Sequence, residues 1–298
     1  MNNDEVKGYS GDLLTFDQRA GRYQQYMAKI DSKRFTTGLT EIDYHIRGVA
    51  PGEVMTIIAY SGTFKSAYLQ NIIHQFATRT AMYQIMFSME MPVEKVFERE
   101  MQIANQLSGR EVERHFKALS PYVMDLCNKG KSNGGEHVIV CEKPRLTIEQ
   151  IKKYVEVAQV KYSPLGCIGI DYLGLMKGDG KTIFERMAEL SFGLKDMAKE
   201  LQIPVILLGQ VNRGYAASQD KEIEMDAAKG GGDIEAAADF MLGLFKHNDE
   251  LYMKILKNRN GRNNINFKVT MDVECLRFQD ATECELPKQD KGRKVVHI

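Results

Sequence analysis

Apolar and polar positions follow two different rhythms along this chain. Between positions 35 and 208, short apolar runs are separated by longer stretches in which apolar residues recur every three or four positions. The runs at 54–59, 83–87, 137–141, 167–170 and 204–208 read as buried strands. The stretches between them read as helices. One starts near Lys65, one is opened by Pro92, and one follows Leu146-Thr147 with Glu149 and Gln150 in its first turn. A longer one carries Ile183, Met187, Leu190, Leu194, Met197 and Leu201 on one face. Strands joined by helices of this length need right-handed crossovers, so the pattern predicts an α/β fold with a mostly parallel sheet covered by helices on both faces. Segments 240–245, 251–256, 265–271 and 275–278 follow each other through short polar turns and are expected to extend the sheet as antiparallel hairpins.

The two ends of the chain depart from this pattern. Residues 1–34 open with a polar, Gly-containing stretch and continue as a helix from Leu13 to Ile30 with Tyr23, Met27 and Ile30 on one face. Such a helix is expected to dock, either on its own domain or on a neighbouring copy. Residues 35–285 form the main domain, and 286–298 form a basic tail expected to be disordered.

Composition narrows the reading. The 298 residues hold 40 basic and 40 acidic side chains, which argues against a large basic face coating nucleic acid or anionic membrane but leaves room for a small basic site. No stretch approaches the roughly 18 consecutive apolar residues of a membrane span. The opening residues lack the basic-then-apolar layout of a secretory signal. The five cysteines form no CxxC pair and the six histidines are scattered, so the expectation is a cytoplasmic protein with reduced thiols and no structural zinc.

Candidate chemistry begins at 59–66, between the first strand and its helix. A phosphate-binding loop has the pattern GxxxxGK[ST], in which backbone N–H groups and a helix N-terminus surround phosphate, the Lys reaches β/γ oxygens and the hydroxyl holds Mg²⁺. Here Lys65 and Ser66 stand in place, but Ala59 and Phe64 replace the two glycines. Gly62 can still supply a positive φ. Phe64 is expected to keep a negative φ and turn its ring away from the nucleotide. Polar residues also cluster just beyond other strands: Glu90 after the second, Asp171 at the end of the fourth, Gln210 at the end of the fifth. Ligands of open α/β sheets sit at those carboxyl ends. Singly, each residue is of a type that also caps helices; together with Lys65-Ser66 they suit ATP hydrolysis. Asp171 would orient a Mg²⁺ shell, Glu90 would polarise water and Gln210 would sense the γ-phosphate.

These segments carry a resemblance. The entrance at 35–43, FSMEMP at 87–92, IGIDYLGLM at 168–176, KDMAKELQIPVILLGQVNR at 195–213, GGGDIEAAADFMLGLF at 230–245 and KNRNG at 257–261 occur in the order found in the RecA-like C-terminal ATPase domain of DnaB-type replicative DNA helicases. The resemblance spans roughly 35–280. It implies a hexameric ring that uses ATP and Mg²⁺, translocates on single-stranded DNA and unwinds duplex during replication in a bacterial or phage-infected cytoplasm. It implies that Ser61, Gly62, Thr63, Phe64, Lys65 and Ser66 hold the nucleotide, and that Ser66 and Asp171 hold the metal. Glu90 becomes the catalytic carboxylate and Gln210 the link between nucleotide state and DNA loops. Lys257 and Arg259 become the pair that reaches the adjacent subunit's nucleotide.

Loops at 177–182 and 213–233 would face the ring's channel, with Lys177, Lys181, Arg213, Lys229, Gly230 and Gly232 toward DNA. Residues 1–34 are too few for the helical N-terminal domain that binds primase in such helicases. A compact phage- or mobile-element-like form or a truncated chain is expected, its linker helix docking on a neighbour, with a primase or a loader as further partners. A RecA-type recombination or repair ATPase, and a non-catalytic ring-forming DNA-binding module with a degenerate loop, remain the alternatives.

Overall fold

The sheet is built around a strand that is buried on both faces. In the computed structural model, which describes residues 13–211, 222–227 and 232–287, Val54–Ala59 (β1) has all six side chains buried. Val54 and Ile58 join the apolar cluster on one side of the sheet, whereas Met55, Ile57 and Ala59 join that on the other, as the two-residue repeat of a strand requires.

The chain divides at residue 34 into an amino-terminal unit and a larger unit beginning at Phe35. The first contains one described helix, α1 (Phe16–Lys33), started by a reciprocal Thr15–Gln18 capping box. Its Phe16, Tyr23 and Met27 are exposed, and Ile30 is buried.

The larger unit continues with α2 (Thr40–Ile46), β1, α3 (Lys65–Thr80), β2 (Tyr83–Ser88), α4 (Val93–Asn105), α5 (Gly109–Lys117) and α6 (Val123–Ser132). Next come β3 (Val138–Cys141), α7 (Ile148–Lys161), β4 (Leu165–Asp171), α8 (Ile183–Leu201), β5 (Val205–Gln210) and α9 (Gly232–Ala237). The chain then enters β6 (Phe240–His247), β7 (Glu250–Asn258), β8 (Ile265–Asp272) and β9 (Arg277–Cys284). The sheet order is β3-β2-β4-β5-β1-β6-β7-β8-β9. Strands β3 through β6 in that order are mutually parallel; β6 through β9 pair antiparallel. Residues of α2 and α3 (Ile42, Ile46, Leu69, Ile72) pack on one face, and residues of α7 and α8 (Ile151, Val155, Leu190, Leu194) on the other. Among the described residues no helix is long and apolar enough to cross a membrane.

Three details differ from the sequence pattern. The pattern places β6 only among the antiparallel hairpins, yet it also pairs parallel to β1, because the chain between β5 and β6 crosses back before the last meander begins. The last strand starts later than 275–278 and runs on to Cys284. The Asp272 carboxylate accepts from the N–H groups of Glu274 and Cys275, and this side-chain turn holds 273–276 out of the ladder. The stretch after Pro92 folds as three helices, and the middle one has a legible start: Ser108 and Glu111 cap each other's N–H groups. Residues 1–12 and 288–298, with most of the tail expected from composition, lie outside the described residues.

Candidate functional site

Parallel pairing lines up strand ends, and here it lines up the chemistry. Ala59 pairs with Gln210, and Ser88 pairs with Asp171, so the chain leaves β1, β2, β4 and β5 on one edge of the sheet. A cleft of about 290 Å³ lies there, lined by the Ser61–Ser66 turn, Glu90, Arg99, Tyr172, Gln210 and Leu276.

The turn between β1 and α3 carries two residues of positive φ. Gly62 has φ +81°. Phe64 has φ +54° and ψ 15°, the left-handed conformation, at the residue that caps α3. The expectation of a negative φ at Phe64 is therefore corrected. Entry into α3 demands a left-handed residue where the pattern places its second glycine, and phenylalanine takes that conformation at a strain of about 1–3 kcal/mol. Phe64 is half-buried and belongs to the cleft lining, and the Lys246 ammonium lies 5.4 Å from its ring centroid. Tyr68 N–H donates to the Phe64 carbonyl, and α3 has no side-chain cap. The N–H groups of its first turn are thus left for an anion at the helix's positive end.

Lys65 stands between two carboxylates. Its Nζ lies 3.4 Å from Glu90 Oε2, 3.6 Å from Asp171 Oδ1, and 4.8 Å from the centre of the Tyr172 ring. Asp171 is wholly buried, and among the described residues neither carboxylate oxygen accepts a hydrogen bond of good geometry. Burial pushes its carboxyl above the ordinary carboxylate range; Lys65 most, and Ser66 less, pull the other way. A buried carboxylate whose nearest cation stands 3.6 Å away, beside a hydroxyl, suits a hard divalent cation, which takes oxygen ligands. Glu90 is half exposed, as a group that addresses water must be.

Arg99 escaped the sequence reasoning. It sits on α4 three residues after buried Val96, and its Nη1 is buried beside the cleft without a hydrogen-bond partner among the described residues. Burial lowers its hold on the proton, opposed by Asp171, Glu98 and Glu90. The available signal was a cation on the helix face that Val96 marks as inward.

Other expected site residues lie elsewhere. Asp239 Oδ2 accepts from Val54 N–H at the start of β1, and Phe240 pairs with Asn258. This puts the KNRNG turn at the opposite end of β1 from Lys65, a strand length of roughly 17–20 Å away. There Arg259 donates through Nη1 to Asp239 Oδ1 at 2.7 Å, and Lys257 donates to the Glu235 carbonyl at 2.6 Å. Lys195 shares Asp239 and also donates to the Gly52 carbonyl. Lys177 and Lys181 are exposed on the loop after β4, where Glu189 accepts from the N–H groups of Asp179 and Gly180. Gly232 begins α9 and is exposed; Arg213, Lys229 and Gly230 lie outside the described residues.

A family model described as the DnaB-like helicase C-terminal domain matches residues 35–280. The chain belongs to that family. Similar DnaB-family proteins include the replicative DNA helicase DnaC of Bacillus subtilis (strain 168), 30% identical over 246 residues covering 80% of this chain and 52% of the relative. The replicative DNA helicase DnaB of Geobacillus stearothermophilus is 29% identical over 233 residues, covering 75% of this chain and 49% of the relative. The chain spans about half the length of the curated relatives it matches. Among solved structures, one described as an ATPase domain superposes with a TM-score of 0.76 at 18% identity, covering 89% of this chain and 98% of that one. A DnaB-like replicative helicase described with its primase interactions superposes with a TM-score of 0.74 at 19% identity, covering 90% and 67%. These two likenesses establish a RecA-like fold.

Proposed function

We propose that this chain is the ATP-hydrolysing motor of a ring-forming replicative DNA helicase. The observation that carries the reading is Lys65 held between Glu90 and the orphaned Asp171 carboxylate at the mouth of a helix N-terminus. In this reading Ser61–Ser66 and the first turn of α3 bind the phosphates of ATP, with Lys65 on the β/γ oxygens. Ser66 and Asp171 hold Mg²⁺, which when bound supplies neutralising charge to those oxygens. Glu90 orients and polarises the attacking water. Asp171 stays in the metal shell, Arg99 adds positive charge beside the phosphates, and Gln210 touches both the cleft and the chain leading to the DNA segment. The loss of the pattern's second glycine is consistent with this reading, because the backbone at Phe64 still makes the turn that glycine would make.

Lys257 and Arg259 serve the nucleotide of an adjacent subunit. Their distance along β1 from Lys65 argues against their own subunit's phosphates and suits a ring, in which one subunit's KNRNG edge would meet the next subunit's cleft. The exposed face of α1 would dock on a neighbour. Lys177, Lys181, Arg213, Lys229, Gly230 and Gly232 would track a single strand through its phosphates, without reading sequence. The balanced net charge fits weak DNA affinity in one subunit and useful affinity in a ring that presents several copies of these residues. A primase and a loader are the expected protein partners.

The test is ATP hydrolysis and unwinding of a forked duplex by the wild type, Lys65→Ala and Glu90→Gln. Single-strand-stimulated hydrolysis and unwinding, both abolished by either change, are the expected result. Filaments on DNA without unwinding would favour a recombination ATPase, and absence of hydrolysis under all conditions would leave a non-catalytic module.

A further inference from the structure

Asp239 is a buried carboxylate gripped by two cations that stand in different environments. It lies in the short connection between α9 and β6. Its Oδ2 accepts from the Val54 N–H at 2.8 Å and from the Lys195 ammonium, and its Oδ1 accepts from Arg259 Nη1 at 2.7 Å. Its own N–H donates to the Val54 carbonyl, and its carbonyl accepts from the Arg259 N–H. The residue thus ties the start of β1, the start of β6 and the turn after β7 at one point. Lys195, on α8, is nearly enclosed, with a side chain 12% exposed, and it also donates to the Gly52 carbonyl at 2.9 Å. Arg259 is the opposite case. Its side chain is 68% exposed, and among the described residues only Nη1 of its planar fork has a hydrogen-bond partner.

Two cations and one carboxylate carry one net positive charge. An isolated Asp239–Arg259 pair would carry none, and the field of a neutral pair falls off much faster with distance than that of a single charge. The carboxylate fixes the backbone junction, yet taken alone it would cancel the guanidinium that it orients. The buried ammonium offsets that cancellation. Burial pushes the Asp239 carboxyl up, but Lys195 first, then the Val54 N–H and Arg259, outweigh it and hold the group below the ordinary carboxylate range. We propose that Lys195 is a positioning residue for the adjacent subunit's reaction: it neutralises Asp239, so that Arg259 is aimed by the carboxylate and still delivers its positive charge to the neighbouring nucleotide. The inference rests on the trans role proposed above for Arg259. Through Asp239, Lys195 lies at the Val54 end of β1, remote from Lys65, so its replacement leaves its own subunit's cleft as built.

The experiment measures steady-state ATP hydrolysis by the full chain for the wild type, Lys195→Gln, Lys195→Arg and Arg259→Ala, each alone and mixed with Lys65→Ala subunits. Lys195→Gln keeps a hydrogen-bond donor but not the charge. Its kcat is expected to fall by about tenfold or more, with the ATP KM within about twofold of wild type. Lys195→Arg is expected to keep most of the turnover. Mixed rings of Lys195→Gln and Lys65→Ala should turn over faster than either variant alone, because the intact cleft of one is then served by the intact Arg259 of the other. A variant that merely misfolds gains nothing from mixing. Full turnover in Lys195→Gln would overturn the proposal, as would a loss that mixing does not recover or an equal loss in Lys195→Arg. Full turnover in Arg259→Ala would remove the trans reading and this inference with it. A wild type that does not hydrolyse ATP would sink the motor reading as well.

Discussion

Phe64 and Lys246 meet face to tip: a phenylalanine at φ +54° presents its ring to an ammonium 5.4 Å from the centroid. The backbone conformation belongs to glycine, and the side chain is held by a cation–π contact that helps offset the strain. Phe64→Gly should therefore keep ATP turnover within about threefold, because glycine adopts this φ freely. Phe64→Val should reduce turnover at least tenfold, because a β-branched residue resists a positive φ. Steady-state hydrolysis of the two variants checks this contrast, and equal behaviour would contradict it.

Burial of the Asp171 charge costs stability. Its folded carboxyl has a raised pKa, so the folded chain binds its proton more tightly than the unfolded chain does. That contribution to stability is present below the ordinary carboxylate pKa and is lost as pH rises through the folded value. Asp171→Asn removes the buried charge. It is expected to raise the melting temperature of the nucleotide-free protein at pH 8 while abolishing Mg²⁺-dependent hydrolysis. A lower melting temperature at pH 8 would show instead that the buried Lys65 ammonium needs the Asp171 charge more than burial of that charge costs.

Arg259 can be removed without unfolding its own subunit. Asp239 retains Lys195 and the Val54 N–H, and the Arg259 side chain is 68% exposed, so Arg259→Ala should cost no more than about 1 kcal/mol in denaturant titration. Turnover should fall by several orders of magnitude if the guanidinium acts in trans. Mixed rings of Arg259→Ala and Lys65→Ala subunits should then recover activity, because some clefts have an intact Lys65 facing an intact Arg259. Absence of recovery across all mixing ratios would argue against the trans assignment.

Glu100, on α4, supplies a second pH dependence away from the chemistry. Burial pushes its carboxyl up to about 7 from an ordinary value of 4.5. Below pH 4.5 folded and unfolded chains both hold this proton; between there and 7 mainly the folded chain does. The contribution is thus full below 4.5 and lost as pH rises through 7. Glu100→Gln is expected to stabilise the protein by up to about 3 kcal/mol at pH 8 and by little at pH 4.5, read from paired denaturant titrations. A uniform shift at both pH values would point to packing instead of charge.

The sequence by itself determined the order of the strands and the main helices between them, the parallel class of the sheet and most of the cleft. Those features depend on local periodicity and on polar residues placed just after apolar runs, which act over a few positions. Lys65, Ser66, Glu90, Asp171 and Gln210 were legible because parallel strands send their carboxyl ends to one edge, so residues far apart in sequence are brought together by topology alone. The tertiary structure decided what periodicity does not encode. The sign of φ at Phe64 depends on the turn's closure, which overrode the side chain's preference. Arg99 became a cleft residue only through the packing of α4. The separation of Arg259 from Lys65 comes from the antiparallel register of β6 and β7. Long-range register and the pairing of buried charges are properties of the assembled sheet.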